Sequence, residues 1–157
     1  MKTTKGDLLQ LAVDGQFDVV VHGCNCFNTM GAGIAKQIAG RFSEAVEADD
    51  QTEAGDRSKL GTITVAPITR RPKGKDVTFS IVNAYTQYDF GRTKGVLVDY
   101  EAVRRAFRLI RSRFAGKRIG YPLIGAGLAG GDWGVLSQII DEELAGEDHT
   151  LVEYAKA

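Results

Sequence analysis

Val19-Val20-Val21-His22-Gly23-Cys24-Asn25-Cys26-Phe27-Asn28-Thr29-Met30-Gly31-Ala32-Gly33-Ile34 passes from a β-branched run, through a polar and glycine-rich turn, into residues that repeat at helical spacing. The valines suit a strand covered on both faces. Beyond the turn, Ile34, Ile38 and Phe42 fall on one side of a helix from Gly33 to Arg41. A second unit of the same kind lies further along. Arg118 to Ile124 reads as a strand and Gly125-Ala126-Gly127-Leu128-Ala129-Gly130-Gly131 as its loop. Asp132 then caps a helix from Trp133 to about Leu144, along which Leu136, Ile140 and Leu144 align. Glycines at strand-to-helix junctions let backbone N–H groups approach a ligand closely, and the helix N-terminus that follows favours negative charge. Two such loops in one small α/β domain imply a grip on a diphosphate from both sides. The polar cluster His22 to Asn28 would then contact a sugar beside it.

The rest of the chain fits around these units. Ser43 to Asp50 continues helically, and Asp49 to Lys59 reads as a polar surface connection. Thr62 to Ile68 alternates like a strand. It pairs through the basic turn Arg70-Arg71-Pro72-Lys73-Gly74-Lys75 with a strand from Val77 to Ala84, making a hairpin. Tyr85 to Val98 carries few regular signals but many polar and aromatic residues, Gln87, Tyr88, Asp89 and Phe90 among them, as functional loops often do. Asp99 caps a helix reaching Phe114, whose apolar face is Val103, Ala106, Phe107, Ile110 and Phe114. Thr150 to Tyr154 is a short closing strand. Alternating β and α with one hairpin predicts a three-layer α/β/α sandwich around a central mixed sheet, one domain spanning 1–157.

Bulk properties narrow the function classes. Of 157 residues, 43% are hydrophobic and 25% charged, which suits a globular fold. Lysine plus arginine equals aspartate plus glutamate, 20 against 20, so no broad positive field exists for nucleic acid. An anion site must therefore be local. Cys24 and Cys26 alternate onto one face of a strand, a poor geometry for a disulfide, and read as free thiols of a reducing cytoplasm. No apolar run reaches the ~20 residues of a membrane helix, and the first residues lack the apolar core of a signal peptide.

These residues together resemble the macro domain family. Gly6-Asp7-Leu8-Leu9 is similar to its glycine-aspartate motif. His22-Gly23-Cys24-Asn25 with Met30-Gly31-Ala32-Gly33-Ile34-Ala35 is similar to its first ligand loop, and Tyr121-Pro122-Leu123-Ile124-Gly125-Ala126-Gly127-Leu128 to its second. Within the family the chain looks most like the branch that processes ADP-ribose 1''-phosphate, which includes small bacterial and phage proteins. The resemblance implies an ADP-ribose site in the cytoplasm of a bacterial or phage-infected cell. Asp7, followed by Leu8, would accept from the adenine amino group. Backbone N–H groups of Gly31, Ala32, Gly33 and Ile34 would hold one side of the diphosphate, and those of Gly125, Ala126, Gly127 and Leu128 the other. Asn25 would face the distal ribose, and an aromatic between Tyr85 and Phe90 would cover adenine or ribose.

The expected reaction is hydrolysis of the terminal phosphate without metal or cofactor, His22 moving a proton and Asp132 or Asp89 orienting water. A non-catalytic ADP-ribose-binding module, and a hydrolase of ADP-ribose linked to protein, nucleic acid or an acetyl ester, are the alternatives. Each residue also has a plainer reading. His22 suits a hydrogen-bonded core histidine and Asp132 a helix cap. Gly125, Gly127 and Gly130 match a dinucleotide fingerprint only formally, because just one short strand follows and the acids Glu147 and Asp148 precede it instead of closing it. His22 with Cys24 and Cys26 falls short of the four ligands of a closed zinc site. The branch that removes ADP-ribose from proteins carries an attacking lysine and an aspartate where this chain has Gln87 and Ala129. Neither can play those parts, and Lys94 is seven residues from the lysine position.

Overall fold

A computed structural model describes residues 1–90 and 95–156. Lys94 and the middle of the 85–98 segment therefore lie outside the described residues. In chain order the elements are β1 (Lys2–Gly6), α1 (Leu8–Val13), β2 (Val19–Cys24), α2 (Gly33–Arg41), α3 (Ser43–Asp50), β3 (Ile63–Arg70), β4 (Val77–Tyr85), α4 (Tyr100–Phe114), β5 (Ile119–Tyr121), α5 (Trp133–Glu143) and β6 (His149–Tyr154), with a 3₁₀ turn at Arg57–Lys59. The described strands form one six-stranded sheet ordered β1-β6-β5-β2-β4-β3. Every neighbouring pair is parallel except β3 with β4.

Side-chain alternation on the strands divides the core in two. Val19 and Val21 of β2, with Val82, Ile119 and Leu151, pack against Val103 and Phe107 of α4 and Leu136 and Ile140 of α5. Val20, Ile81 and Val152 face the other way, onto Leu8 and Leu9 of α1, Ile38 of α2 and Ala45 of α3. The result is the α/β/α sandwich predicted from the sequence. The caps are also where they were expected: Asp99 accepts from Ala102 N and Asp132 from Gly134 N.

Several boundaries differ, each for a local reason. The helix after Gly33 does not run on through residue 50. At Phe42 the backbone leaves helical geometry, and the buried ring meets Phe79 edge-on at 5.7 Å. α3 is thus a separate helix. β5 stops at Tyr121 because Pro122 has no N–H to donate to a ladder, and Ile124 N turns back to Pro122 O at 2.7 Å. β1 was absent from the sequence reading. Its residues from Lys2 to Lys5 are exposed, and among the described residues it pairs with β6 alone at the sheet edge, so no apolar alternation marks it.

Candidate functional site

All five parallel strands point their carboxyl ends at one edge of the sheet, the place where open α/β folds bind ligands. A cavity of about 950 Å³ lies along that edge. It is lined by Gly6 at the end of β1 and Asp7 after it, Tyr154 of β6, Pro122 after β5, Gly23 to Asn25 at the end of β2, and Thr86 and Gln87 after β4. From β1 to β4 there are four inter-strand steps, so the groove is about 19 Å long at ~4.8 Å per step. Both glycine loops border its middle, with Gly31 to Ala35 on one side and Gly125, Gly127, Leu128 and Ala129 on the other.

The two loops offer backbone donors. α2 starts at Gly33, and its N-cap residue Ala32 makes no side-chain cap bond to the first-turn N–H groups, which border the cavity. Gly33 has φ +59, and a Cβ placed there would sit 3.5 Å from Leu128 Cδ1 of the opposite loop. The exposed Leu128 side chain therefore reaches across the groove. In the second loop Gly131 N donates to Gly125 O and Gly130 N to Gly127 O, whereas the N–H groups of Gly127 and Leu128 find no acceptor among the described residues. Ala126 does not line the cavity. Its N–H donates to Leu123 O, and its side chain packs on the core beneath α4 and α5.

The β1 end is a slot of apolar walls, Leu8, Leu9, Ile34 and Val152, with Asp7 at its rim. Asp7 caps α1, one carboxylate oxygen accepting from Gln10 N at 3.1 Å. Tyr154, 71% exposed, closes this end. An exposed aromatic on a closing strand was the available signal for it, and the sequence reading passed over it. At the β4 end Asn25 folds its own loop, its amide donating to Thr29 O and Oγ1 while its carbonyl accepts from Phe27 N. Of the aromatics between Tyr85 and Phe90, Phe90 lines the cavity. Gln87 and Ala129 also face the cavity, so the departure from the lysine-bearing branch falls within the site itself.

The expected catalytic side chains sit elsewhere. His22 follows Val20 onto the face covered by α3 and is fully buried. Asn83 donates to Ala45 O and Thr64 Oγ1, which turns its Oδ1 towards His22 Nε2 at 2.6 Å. The network therefore assigns the ring proton to Nε2. Burial pushes its pKa down to about 4, against the weaker opposing effect of the Asn83 hydrogen bond. His22 is a neutral core residue at pH 7 and does not line the cavity. Asp132 is an exposed cap outside the lining. Asp89 is also outside it, although Gln87 Nε2 donates to Asp89 O at 2.6 Å.

The polar 49–59 connection corrects another expectation, because Asp49 and Lys59 are buried. Asp49 accepts from Tyr85 OH at 2.7 Å, and desolvation raises its pKa. Lys59 Nζ donates to Cys26 O at 3.1 Å and to Asn28 Oδ1. It thereby anchors the first loop where Asn28 takes the left-handed conformation, φ 57.

A doubly covered mixed sheet with a groove between two glycine loops at its strand ends is the macrodomain fold. The macrodomain of Thermus aquaticus DarG superposes with a TM-score of 0.69 at 24% identity, covering 98% of this chain and 97% of that one. A Trypanosoma brucei macrodomain in complex with ADP-ribose superposes with a TM-score of 0.61 at 16% identity, over 96% of this chain and 62% of that one. No family model matches the sequence. Over 146 residues, 90% of this chain and 88% of the relative, it is 35% identical to a 17.5 kDa protein from the tk-vs intergenic region of Enterobacteria phage T4. The chain belongs to the family of that phage protein.

Proposed function

We propose that the groove binds ADP-ribose and that the protein removes the terminal phosphate of ADP-ribose 1''-phosphate. Water attacks phosphorus, the bond to the ribosyl oxygen breaks, and ADP-ribose and inorganic phosphate leave. The observation that carries the binding is the order of chemistry along the groove. An apolar slot rimmed by Asp7 and Tyr154 comes first, facing backbone donors follow, and Asn25, Thr86 and Gln87 lie last. That order matches base, diphosphate and distal ribose, and the Trypanosoma brucei macrodomain offers a precedent for the ligand. Adenine packs between Ile34 and Tyr154, its amino group donating to the Asp7 carboxylate.

The first turn of α2 takes one face of the diphosphate and Gly127 and Leu128 N–H the other. The latter pair also meets charge that builds on the transferred phosphoryl oxygens. Asp89 is the acid we assign, since Gln87 ties it to the distal end. His22 supports the first loop from beneath as a neutral group. A second reading, recognition of ADP-ribose without chemistry, is favoured by one observation: His22, Asp89 and Asp132 all lie outside the lining.

The test is phosphate release from ADP-ribose 1''-phosphate beside ADP-ribose calorimetry. Release that Asp89→Asn lowers at least about a hundredfold supports the hydrolase, that being the usual scale of acid–base assistance. Binding without release leaves recognition, or hydrolysis of ADP-ribose in another linkage. No binding overturns the proposal.

A further inference from the structure

Thr86 follows β4 at the floor of the groove and is 1% exposed. Its backbone is fully used, N–H donating to Cys24 O at 3.1 Å and C=O accepting from Asp99 N at 2.8 Å. Its side-chain oxygen, by contrast, is buried with no hydrogen-bond partner among the described residues. A buried hydroxyl left without a partner costs stability, so its retention calls for a compensating role.

The surroundings point to the groove. A Cβ on Gly23 would lie 2.7 Å from Thr86 Oγ1 and 3.4 Å from Ile124 Cγ2. Gly23 precedes the first ligand loop and Ile124 the second, so the hydroxyl sits at the point where both loops leave the sheet. Any side chain at 23 would displace it. Resting on the ADP-ribose reading above, we propose that Thr86 is a ligand contact. Its hydroxyl acquires its missing partner from the distal ribose or the phosphate that ribose carries. In the unliganded fold the oxygen is closed off, and a change of χ1 to another staggered well turns it to the ligand. The ligand then satisfies a group that folding leaves unsatisfied.

The signature is a pair of effects with opposite sign. Thr86→Val keeps the shape and deletes the hydroxyl. It is expected to leave the melting temperature unchanged or raised, because the orphaned group is gone. It should weaken ADP-ribose binding by about threefold to tenfold, the range of one net hydrogen bond, while ADP, which lacks the distal ribose, binds as to wild type. Thr86→Ser, which retains the hydroxyl, should restore ADP-ribose affinity. Should Thr86→Val prove insoluble, Thr86→Ala carries the same comparison. Unchanged ADP-ribose affinity in the valine variant, or an equal loss for ADP and ADP-ribose, overturns the contact while leaving the ADP-ribose reading intact. Wild-type protein that binds neither ligand removes that reading and this inference together.

Discussion

Acidification from about pH 7.5 to about pH 5 should destabilise this protein through His22, by an amount the structure sets. In the unfolded chain the imidazole titrates near its ordinary 6.5, and in the folded chain burial holds it near 4. Protonation is therefore easier unfolded. The stabilising contribution is complete above 6.5 and disappears as pH falls towards 4. The whole shift corresponds to about 3 kcal/mol, of which about 2 kcal/mol is already lost at pH 5. Two other buried groups have shifted titrations. His149 is also shifted down by burial and adds loss of the same sign, whereas Asp49, shifted up, opposes it.

Comparison with His22→Gln removes both, because the glutamine amide can still donate to Asn83 and does not titrate. Urea unfolding of the two proteins at each pH gives the difference directly. The wild type should lose about 2 kcal/mol more than the variant between the two conditions. Equal losses would falsify the neutral buried imidazole, and with it the case against His22 as a proton shuttle. The same shift means that any phosphatase activity should lack a limb from His22 between pH 6 and pH 8.

Other substitutions separate binding from scaffolding. Wild type should prefer ADP-ribose to its hypoxanthine analogue about tenfold, and Asp7→Ala should erase that preference while losing about 1 kcal/mol of helix capping; a retained preference would move the base elsewhere. Gly33→Ala places a Cβ at positive φ, costing roughly 1–2 kcal/mol in thermal melting and crowding the diphosphate wall; an unchanged melting temperature would contradict the left-handed backbone. Asp132→Ala should cost about 1 kcal/mol through the lost cap of α5 and leave phosphate release within about twofold of wild type. A hundredfold fall would return Asp132 to the chemistry.

Much of the scaffold was legible because it is governed by local rules. Asp99 and Asp132 announced their helices by capping, and Val19 to Val21 announced a strand covered on both faces. Both glycine loops flank the groove as their composition implied. What escaped depends on which element covers which face. Period-two alternation places His22 on the side of Val20, but nothing in residues 19–24 says that α3 will close over that side. Asp49 and Lys59 looked solvated for the same reason. Their burial becomes visible only when the Tyr85 hydroxyl and the Cys26 carbonyl are brought to them from distant strands. Thr86 was passed over because an unpartnered hydroxyl is a property of three-dimensional packing and has no signature in a linear pattern.

Pairing of β1 with β6 sets Lys2 opposite Thr150 and Gly6 opposite Tyr154. The slot assigned to the base is made where those two strands end, so its two walls come from segments separated by nearly all of the intervening chain. Forming it closes the largest loop in the fold, and contacts of such sequence separation tend to be made late. An intermediate in which β2, β4 and β5 have assembled would already own both glycine loops yet have nowhere to seat adenine. Tight nucleotide binding thus reports completion of the topology, and ligand added during refolding should act on the last step rather than the first.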